Sequence, residues 1–312
     1  MASLPILNND TSPAPAAKPG RDTPEPARPS WIRVRAPGGE RYLSLRRLLE
    51  ERRLHTVCSS AACPNIGECW NAGTATFMVL GNYCTRACRF CDVKTSPRPL
   101  PVDLDEPERL AEAAELMGLS HVVITSVARD DLADGGAEHF SRCLHAVHQR
   151  LPQATLEVLV PDFHGLADHV QRVVDAPLHI FNHNLETVSR LTRQIRSGAK
   201  YDRSLEVLST AKRLRPTIRT KSGIMLGLGE TDDEVKVAIE DLRGANVDIL
   251  TLGQYLRPSK NNHPVSRYVA PEIFDALGDF ARGLGFSHVE SGPLVRSSYH
   301  AERGVADSPD SQ

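Results

Sequence analysis

Between residues 74 and 254, short apolar runs rich in β-branched residues alternate with longer segments of helical spacing. The intervening segments, such as PERLAEAAELMG and DEVKVAIEDLRG, end on glycine, as helices often do. Repeated strand-helix units predict a parallel sheet, and six units over about 180 residues suit a partial (β/α)6 TIM-like barrel better than a closed eightfold barrel of about 250 residues. A doubly wound open sheet is the alternative. The six predicted strands are TATFMVLG, HVVITSV, TLEVLV, LHIFNHN, IRTKSGIML and VDILTLGQ.

The chain on either side of the barrel divides into tails and extensions. Residues 1–30 hold seven prolines and almost no large apolar side chain after Leu7, which predicts a disordered tail. In LSLRRLLEERRLH, Leu45, Leu48 and Leu49 share one face of a predicted amphipathic helix. The predicted domains are the tail 1–30, an N-terminal extension 31–73, the barrel 74–285, and a C-terminal extension with a frayed end, 286–312.

Composition excludes few function classes, but it indicates which partners and which cellular compartment to expect. Lys and Arg number 37 against 39 Asp and Glu, so the formal charge of -2 gives no electrostatic reason to expect nucleic acid or a bilayer as partner. No apolar run reaches the ~18 to 20 residues of a membrane span, and the first thirty positions lack a signal core or an Arg-rich transit pattern. These features predict a cytoplasmic protein.

The cysteines are concentrated in one part of the chain, since six of the seven lie between Cys58 and Cys91. This clustering argues for metal or redox use rather than disulfides. The stretch NYCTRACRFCDVK holds Cys84, Cys88 and Cys91 in a C-x3-C-x2-C spacing. Three thiolates can bind three irons of a [4Fe-4S] cluster and leave the fourth iron open, just as catalytic zinc keeps one open position. A zinc site completed by a histidine is the alternative, although no second C-x2-C or His pair lies at a suitable distance.

This motif, with Phe90 before its last cysteine, resembles the radical S-adenosylmethionine (SAM) superfamily, whose members share the partial barrel. The resemblance implies that the open iron chelates the amino and carboxylate groups of SAM, which one electron then cleaves to methionine and a 5'-deoxyadenosyl radical. NHNLE is similar to the ribose-contacting segment, which gives that role to Asn184 and Glu186. GIMLGLGE is similar to the adenine-contacting segment and indicates Met225 and Gly227. Asn184 could instead be an ordinary turn residue at the end of a strand.

A second cysteine triad lies immediately upstream of the barrel. HTVCSSAACPNIGECW places Cys58, Cys63 and Cys69 in a C-x4-C-x5-C spacing, which suggests a second cluster. A structural zinc, or one composite cluster shared by both triads, is the alternative. This spacing resembles the lipoyl synthase family, and the match extends through CPN, GTATFM, CRFCDV, ARDDLADGGA, FNHNLETV, KSGIMLGLGE, LGQYLRPS and RSSYHA. The resemblance covers nearly everything between residues 50 and 302.

In that family the second serine of Arg-Ser-Ser-Tyr is the fourth ligand of the auxiliary cluster, and that serine is Ser298 here. A serine oxygen is a harder ligand than a thiolate, so its bond to iron should exchange more readily, which suits a cluster that opens during turnover and makes Ser298 a catalytic residue as well. Taken without the resemblance, RSSY would be interpreted as a solvated turn.

The resemblance implies insertion of two sulfur atoms at C6 and C8 of an octanoyl chain, with the auxiliary cluster as sacrificial sulfur donor and two SAM molecules consumed per product. The octanoyl chain is carried on a lysine of a lipoyl carrier domain, so the expected partners are E2 subunits of 2-oxoacid dehydrogenases and the H protein of glycine cleavage. An electron donor such as flavodoxin or ferredoxin and an iron-sulfur cluster carrier complete the set. Alternatives are a biotin synthase-like enzyme, which the upstream triad and RSSY disfavour, and a non-catalytic iron-sulfur carrier.

Other residues receive weaker assignments. Cys143 lies on an amphipathic helix and is predicted to be a small buried residue. Asp130 and Asp131 are expected to position substrate or cluster, because radical hydrogen abstraction requires no carboxylate pair. The arginines of RRLLEERR and RLTRQIR could dock an acidic carrier domain, although a solvated helix face is the commoner explanation.

Overall fold

A computed structural model describes residues 25–32, 38, 40–52, 54–56, 65–71 and 74–298 of the chain. Strands and helices alternate along the barrel, as the hydrophobic pattern predicts. The strands are β1 His55–Thr56, β2 Thr74–Val79, β3 Tyr83–Cys84, β4 Lys94–Thr95, β5 His121–Ser126, β6 Thr155–Leu159, β7 Ile180–Asn182, β8 Arg219–Leu226, β9 Ile249–Gln254 and β10 His288–Gly292. The helices are α1 Glu40–Glu51, α2 Ile66–Asn71, α3 Glu106–Leu116, α4 Ala137–Arg150, α5 Ala167–Val174, α6 Ser189–Ile195, α7 Tyr201–Leu214, α8 Asp232–Gly244 and α9 Pro271–Gly283, with a 3-10 turn at Phe163–Gly165.

The main sheet runs in the order β1-β2-β5-β6-β7-β8-β9-β10, and every neighbouring pair is parallel except β1 with β2. Strand order therefore follows chain order without a reversal. A doubly wound sheet requires a point where the order reverses, so this topology is that of a partial barrel. The predicted fold class is confirmed, and its six strands are β2 and β5 to β9.

Strand β10 is a seventh parallel strand that the sequence pattern does not reveal. Its residues, HVESG, are mostly polar or small, and all of them are only half-buried. Such a segment lacks the apolar run of a central parallel strand. It is nevertheless paired with β9 over its whole length, from His288 opposite Ile249 to Gly292 opposite Gly253. The sheet therefore continues into the part of the chain predicted to be a C-terminal extension.

Strands β2, β5, β6 and β7 end within one residue of one another, which sets where the site can form. In register, Met78 lies opposite Thr125, Thr125 opposite Leu159, and Leu159 opposite Asn182. Because all these strands are parallel, their carboxyl ends open at one edge of the barrel, where the following loops meet.

Helices cover the outer face of the sheet and bury the apolar core. Strand β2 is buried at all six positions, as expected for a parallel strand with both faces covered. On α4, Phe140, Cys143 and Leu144 are fully buried, so Cys143 packs as the predicted small apolar residue. The predicted amphipathic helix is α1, which buries Leu45 and Leu49.

Residues 25–30 fall inside the segment predicted to be a disordered tail, yet they contact the body of the protein. The Glu25 carboxylate accepts a hydrogen bond from Arg257 Nη1 at 3.0 Å and another from the Val265 N–H at 3.2 Å. Residues 1–24 lie outside the described part of the chain. Across the described residues, no helix combines the length and the apolar content needed to cross a membrane.

Candidate active site

A cavity of about 1310 Å³ lies at the carboxyl ends of the barrel strands. Strands β2, β5 and β6 contribute Met78, Thr125 and Leu159 to its wall, and the segments at residues 49–56 and 295–297 also reach it. This is the edge of a parallel barrel where active sites form. Of the residues predicted to act in catalysis or binding, Cys84, Cys88, Cys91, Asn184, Glu186 and Met225 line this cavity.

The loop after β2 brings the three barrel cysteines to the cavity and is held in place by neighbouring segments. The Arg89 N–H donates to the carbonyl of Ile195 at the end of α6, at 2.8 Å. The Arg89 carbonyl accepts from the His263 N–H, and the Cys91 carbonyl accepts from Asn262 Nδ2, both at 2.8 Å. The loop is thus fixed by backbone contacts on two sides.

Each of the three sulfurs faces a backbone N–H group. Cys84 Sγ accepts from the N–H groups of Arg86 and Ala128, at 3.4 and 3.3 Å. Burial raises the pKa of the Cys91 thiol to about 11, although the Val93 N–H opposes the shift. Burial likewise raises the pKa of Cys88, against Arg196 and the Ser197 N–H. The free thiols of Cys88 and Cys91 are therefore neutral, and iron would have to displace their protons.

These three thiols fit an iron-sulfur cluster, since N–H groups aimed at sulfur are a feature of cluster sites and stabilise the thiolate form. Among the described residues, no three His, Cys, Asp or Glu side chains converge closely enough to hold a single metal ion. A cubane cluster makes a different demand, because each thiolate binds its own iron.

A chain of ion pairs ties the cysteine loop to the ends of β5 and β6. The Arg86 guanidinium donates two hydrogen bonds to Asp130, at 2.8 and 2.7 Å, and one to the fully buried Asp162, at 2.8 Å. Asp162 also accepts from Arg203 at 2.8 Å. Burial opposes ionisation of Arg86 and Asp162, but their mutual pairing raises the pKa of Arg86 and lowers that of Asp162. Arg86 and Asp162 are therefore both charged, and their ion pair holds the cysteine loop in place.

The two aspartates expected to position substrate or cluster have different partners. Asp130 holds Arg86, whereas Asp131 pairs with Arg129 in its own loop, through two hydrogen bonds of 2.8 Å. Neither aspartate lines the cavity. Asp130 therefore acts on the cysteine loop through Arg86.

Asn184 and Glu186 lie together on the cavity wall just after β7. Asn184 Nδ2 donates to Glu186 Oε1 at 3.2 Å, and burial raises the pKa of the Glu186 carboxyl. Asn184 Oδ1 is buried and has no hydrogen-bond partner among the residues described. A buried acceptor of this kind requires a donor, so the pair fits a ligand that carries hydroxyl groups.

Gly227 does not line the cavity, unlike its neighbour Met225. Its φ of +101° favours glycine, and a Cβ there would lie 2.3 Å from Gln254 Nε2 and 2.5 Å from the Arg267 carbonyl. Gly223 does line the cavity, and a Cβ there would lie 2.7 Å from Thr251 Oγ1. A glycine inside a strand often marks the close approach of a ligand or backbone, which is the sequence signal for Gly223.

Arg196 is a further cavity residue, although the sequence pattern indicated a surface position for it. It ends RLTRQIR, the segment considered for carrier docking, yet it is only 6% exposed. Its guanidinium donates to the carbonyls of Leu185 and Asn184 and to Ser204 Oγ. For Arg196, both the preferred interpretation as a solvated helix-face residue and the docking alternative are wrong, because its side chain lies inside the barrel beside Glu186.

His183 also faces the cavity and is buried. Its Nδ1 must carry a proton, because it lies 2.8 Å from the Val160 carbonyl oxygen, which can only accept. Burial, reinforced by the charge of Arg196, lowers the pKa of His183 to about 4. Its imidazole is therefore neutral near pH 7.

The auxiliary triad is described in part. Cys58 and Cys63 lie outside the described residues, whereas Cys69 lies half-buried on α2. Ser298 is half-buried at the end of the described chain, next to residues that line the cavity. Asn65 Nδ2 donates to the Leu294 carbonyl at 2.7 Å. The segment between Cys63 and Cys69 therefore contacts the segment that leads to Ser298.

Comparison with known proteins identifies close relatives. The family profile described as Radical SAM superfamily matches residues 78–242, just over half of the chain. A lipoyl synthase of Nitrosococcus oceani is 56% identical over 280 residues, which cover 89% of this chain and 86% of that protein. A mitochondrial lipoyl synthase of Nematostella vectensis is 52% identical over 282 residues, covering 90% of this chain and 96% of that protein.

Solved structures share the fold at low sequence identity. The methylornithine synthase PylB aligns with a TM-score of 0.53 at 14% identity, covering 80% of this chain and 81% of that one. HydG, a maturase of the [FeFe]-hydrogenase, aligns with a TM-score of 0.55 at 14% identity, covering 84% of this chain and 74% of that one. These likenesses support the partial-barrel fold.

Proposed function

We propose that this chain, which belongs to the lipoyl synthase family within the radical SAM superfamily, inserts sulfur at C6 and C8 of an octanoyl chain carried on a lysine of a lipoyl carrier domain. It is an enzyme that uses SAM and two [4Fe-4S] clusters. The observation that carries this function is the identity of 52 to 56% over about nine-tenths of the chain. The cavity supports it, because the barrel cysteines lie beside Asn184 and Glu186 there.

Cys84, Cys88 and Cys91 would hold the barrel cluster, and Cys58, Cys63, Cys69 and Ser298 the auxiliary cluster. When bound, the barrel cluster with SAM would supply a carbon-centred radical, and the auxiliary cluster would supply sulfur. The loop contacts at Arg86 and Arg89 would keep the barrel cysteines oriented toward the cavity. The half-buried positions of these cysteines leave room for a ligand on the cavity side.

Asn184, Glu186 and Met225 would bind SAM, with Gly227 shaping the turn after β8. The unpaired Asn184 Oδ1 would accept from one ribose hydroxyl, and the Glu186 carboxylate would accept from another. Arg196, held by three hydrogen bonds, would keep a positive charge beside Glu186 and so favour its ionised form. Met225 would give an apolar wall for the adenine.

The octanoyl chain would enter between the N-terminal extension and the barrel. Leu49, Leu54 and Ile66 line the cavity from the extension, and Met78 and Val127 line it from the barrel. An alkyl chain gains from such a wall because each buried methylene group contributes about 0.8 kcal/mol. This apolar wall would exclude water from the carbons that lose hydrogen.

The partners proposed beyond the carrier class are E2 subunits of 2-oxoacid dehydrogenases, the glycine cleavage H protein, a flavodoxin or ferredoxin as electron donor, and an iron-sulfur cluster carrier. The formal charge of -2 gives no electrostatic reason to expect nucleic acid or a bilayer as partner. Cytoplasmic localisation is part of this proposal.

The test is anaerobic turnover of reconstituted protein with SAM, a reductant and an octanoyl-lysine peptide. We expect mass spectrometry to show two hydrogens of the peptide replaced by two sulfurs, with two 5'-deoxyadenosines formed per product. The buried Cys143→Ala variant serves as control and should behave like the unmodified chain. Formation of 5'-deoxyadenosine without sulfur in the peptide would indicate another substrate, such as a free small molecule. No 5'-deoxyadenosine at all would indicate a non-catalytic iron-sulfur protein.

A further inference from the structure

We propose that Asn65 is a positioning residue for the auxiliary site, because it locks the segment that carries Cys69 to the segment that carries Ser298. The inference rests on the proposed function, which assigns both residues to one cluster. Asn65 itself would bind neither iron nor substrate.

Asn65 makes one hydrogen bond to each segment. Its backbone carbonyl accepts from the Cys69 N–H at 3.0 Å, which fixes the first turn of α2. Its side-chain Nδ2 donates to the Leu294 carbonyl at 2.7 Å, across 229 residues of chain. Asn65 is only 5% exposed, so water cannot easily replace either bond. Asn65 therefore links the Cys69 N–H to a backbone carbonyl four residues before Ser298.

The C-terminal segment is also seated from its other side, by β9. A Cβ at Gly253 would lie 2.2 Å from the Val295 carbonyl oxygen and 3.1 Å from its carbonyl carbon, so the backbone of Val295 rests directly on this glycine. Real Cβ atoms do not tolerate such a distance, and a backbone atom cannot swing away as a flexible side chain can. Residues 294 and 295 are therefore held between Asn65 and Gly253.

This arrangement distinguishes the auxiliary site, whose ligands come from two distant segments, from the barrel site, whose ligands come from one loop. The barrel cysteines lie within eight consecutive residues, and their loop has its own asparagine, Asn262, whose Nδ2 donates to the Cys91 carbonyl at 2.8 Å. Asn262 is 9% exposed, close to the exposure of Asn65. The two asparagines make the same kind of bond at the two sites, so they form a matched pair for mutation.

The experiment uses Asn65→Asp, which keeps the side-chain shape but removes the N–H donor. In anaerobically reconstituted protein we expect iron to fall from about eight to about four atoms per chain, since each [4Fe-4S] cluster holds four irons. Mössbauer spectra should lose the auxiliary component and keep the barrel component. 5'-deoxyadenosine formation should stay within about twofold of the unmodified chain, whereas sulfur insertion should fall at least about tenfold, by analogy with loss of a residue that orients a metal ligand.

The matched variant Asn262→Asp should give the reverse result, with less 5'-deoxyadenosine and the auxiliary component kept. Retention of both clusters and of sulfur insertion by Asn65→Asp would overturn the inference. If Asn65→Asp loses both clusters, the Gly253→Ala variant decides, because its added methyl group displaces residues 294 and 295 from the β9 side. Selective loss of the auxiliary cluster in Gly253→Ala supports the inference, and any other pattern in that variant overturns it. The iron count tests Asn65 even in inactive protein, whereas a lack of 5'-deoxyadenosine from the unmodified chain speaks against the proposed function alone.

Discussion

The two cysteine triads are built in opposite ways. Cys84, Cys88 and Cys91 share one short loop that neighbouring strands and helices hold by backbone hydrogen bonds and buried ion pairs. The auxiliary site instead combines a segment before the barrel with Ser298 near the other end of the chain, and the Asn65 side chain hydrogen-bonds the first segment to the Leu294 carbonyl of the second. A site carried on one loop is fixed locally. A site divided between distant segments depends on their docking.

This difference suits the two proposed roles. A cluster that works repeatedly needs ligands that keep their positions, and the Arg86 ion pairs restrict the barrel loop. A cluster that gives up sulfur must open and be rebuilt, which is easier where one ligand arrives on a separate segment. The comparison therefore predicts that a mutation at one cluster site affects the role of that cluster and not the binding of the other cluster.

The largest effect is expected from Cys88→Ala. Loss of one of three thiolates should prevent binding of the barrel cluster, so 5'-deoxyadenosine formation and sulfur insertion should both fall below detection. Iron should fall by about half, because the auxiliary ligands are untouched. Cys143→Ala is the control, since Cys143 is fully buried on α4 far along the chain from both triads. Full SAM cleavage by Cys88→Ala would show that the loop does not hold the cluster.

Ser298→Ala should remove sulfur insertion while leaving SAM cleavage within about threefold of the unmodified chain, because the alanine methyl group cannot ligate iron. Product mass and 5'-deoxyadenosine are measured in the same reaction. Ser287→Ala is a suitable control, as Ser287 Oγ donates to the Asp248 carbonyl on an exposed turn. Equal sulfur insertion by both variants would argue against a ligand role for Ser298.

Arg86→Met should lower the free energy of unfolding by about 3 kcal/mol, because among the described residues it leaves the buried Asp162 paired with Arg203 but no longer with Arg86. The contrast is Arg46→Met on α1, on the auxiliary side. Arg46 pairs with Glu50 at 3.2 Å, both being more than half exposed, so its loss should cost less than about 0.5 kcal/mol. Anaerobic urea titration measures both, and equal losses would mean that the barrel loop is no better anchored than the surface.

The smallest effect concerns pH. Burial lowers the pKa of His183 from 6.5 to about 4, so the unfolded chain binds a proton that the folded chain excludes as pH falls through this window. The resulting stability is complete above about pH 6.5 and is progressively lost at lower pH. Between pH 7.5 and 5.5 the loss should reach about 1 kcal/mol, and His183→Asn should flatten that slope. An unchanged slope would show that His183 titrates normally.

Most of the barrel could be predicted from the sequence, because each strand is recognised from its own short run of residues. Each of the six predicted strands is a β-branched apolar run that fits a covered parallel sheet, and all six are present. Strand β10 was missed because its pairing with β9 depends on backbone register rather than on apolar side chains. The contact of Glu25 with Arg257 was missed for a similar reason, since 232 residues separate them.

In the candidate site, too, the residues indicated by local sequence could be predicted and those that depend on distant contacts could not. The cysteine spacing and the position of Asn184 and Glu186 after a strand indicated the cavity wall, where the structure places them. The roles of Arg86, Arg196 and Asn65 could not be predicted, because each depends on which distant carbonyl or carboxylate lies within hydrogen-bond distance. An arginine in a helical pattern looks solvated until the fold buries it.

The most direct test of two functionally distinct clusters is iron and Mössbauer analysis of the anaerobic protein before and after a single turnover with the octanoyl-lysine peptide. We predict about eight irons per chain at the start, and selective loss of the auxiliary component in step with the sulfur gained by the peptide, with the barrel component intact. A protein that starts with one cluster, or that gains sulfur in the peptide while keeping both components unchanged, would contradict the account.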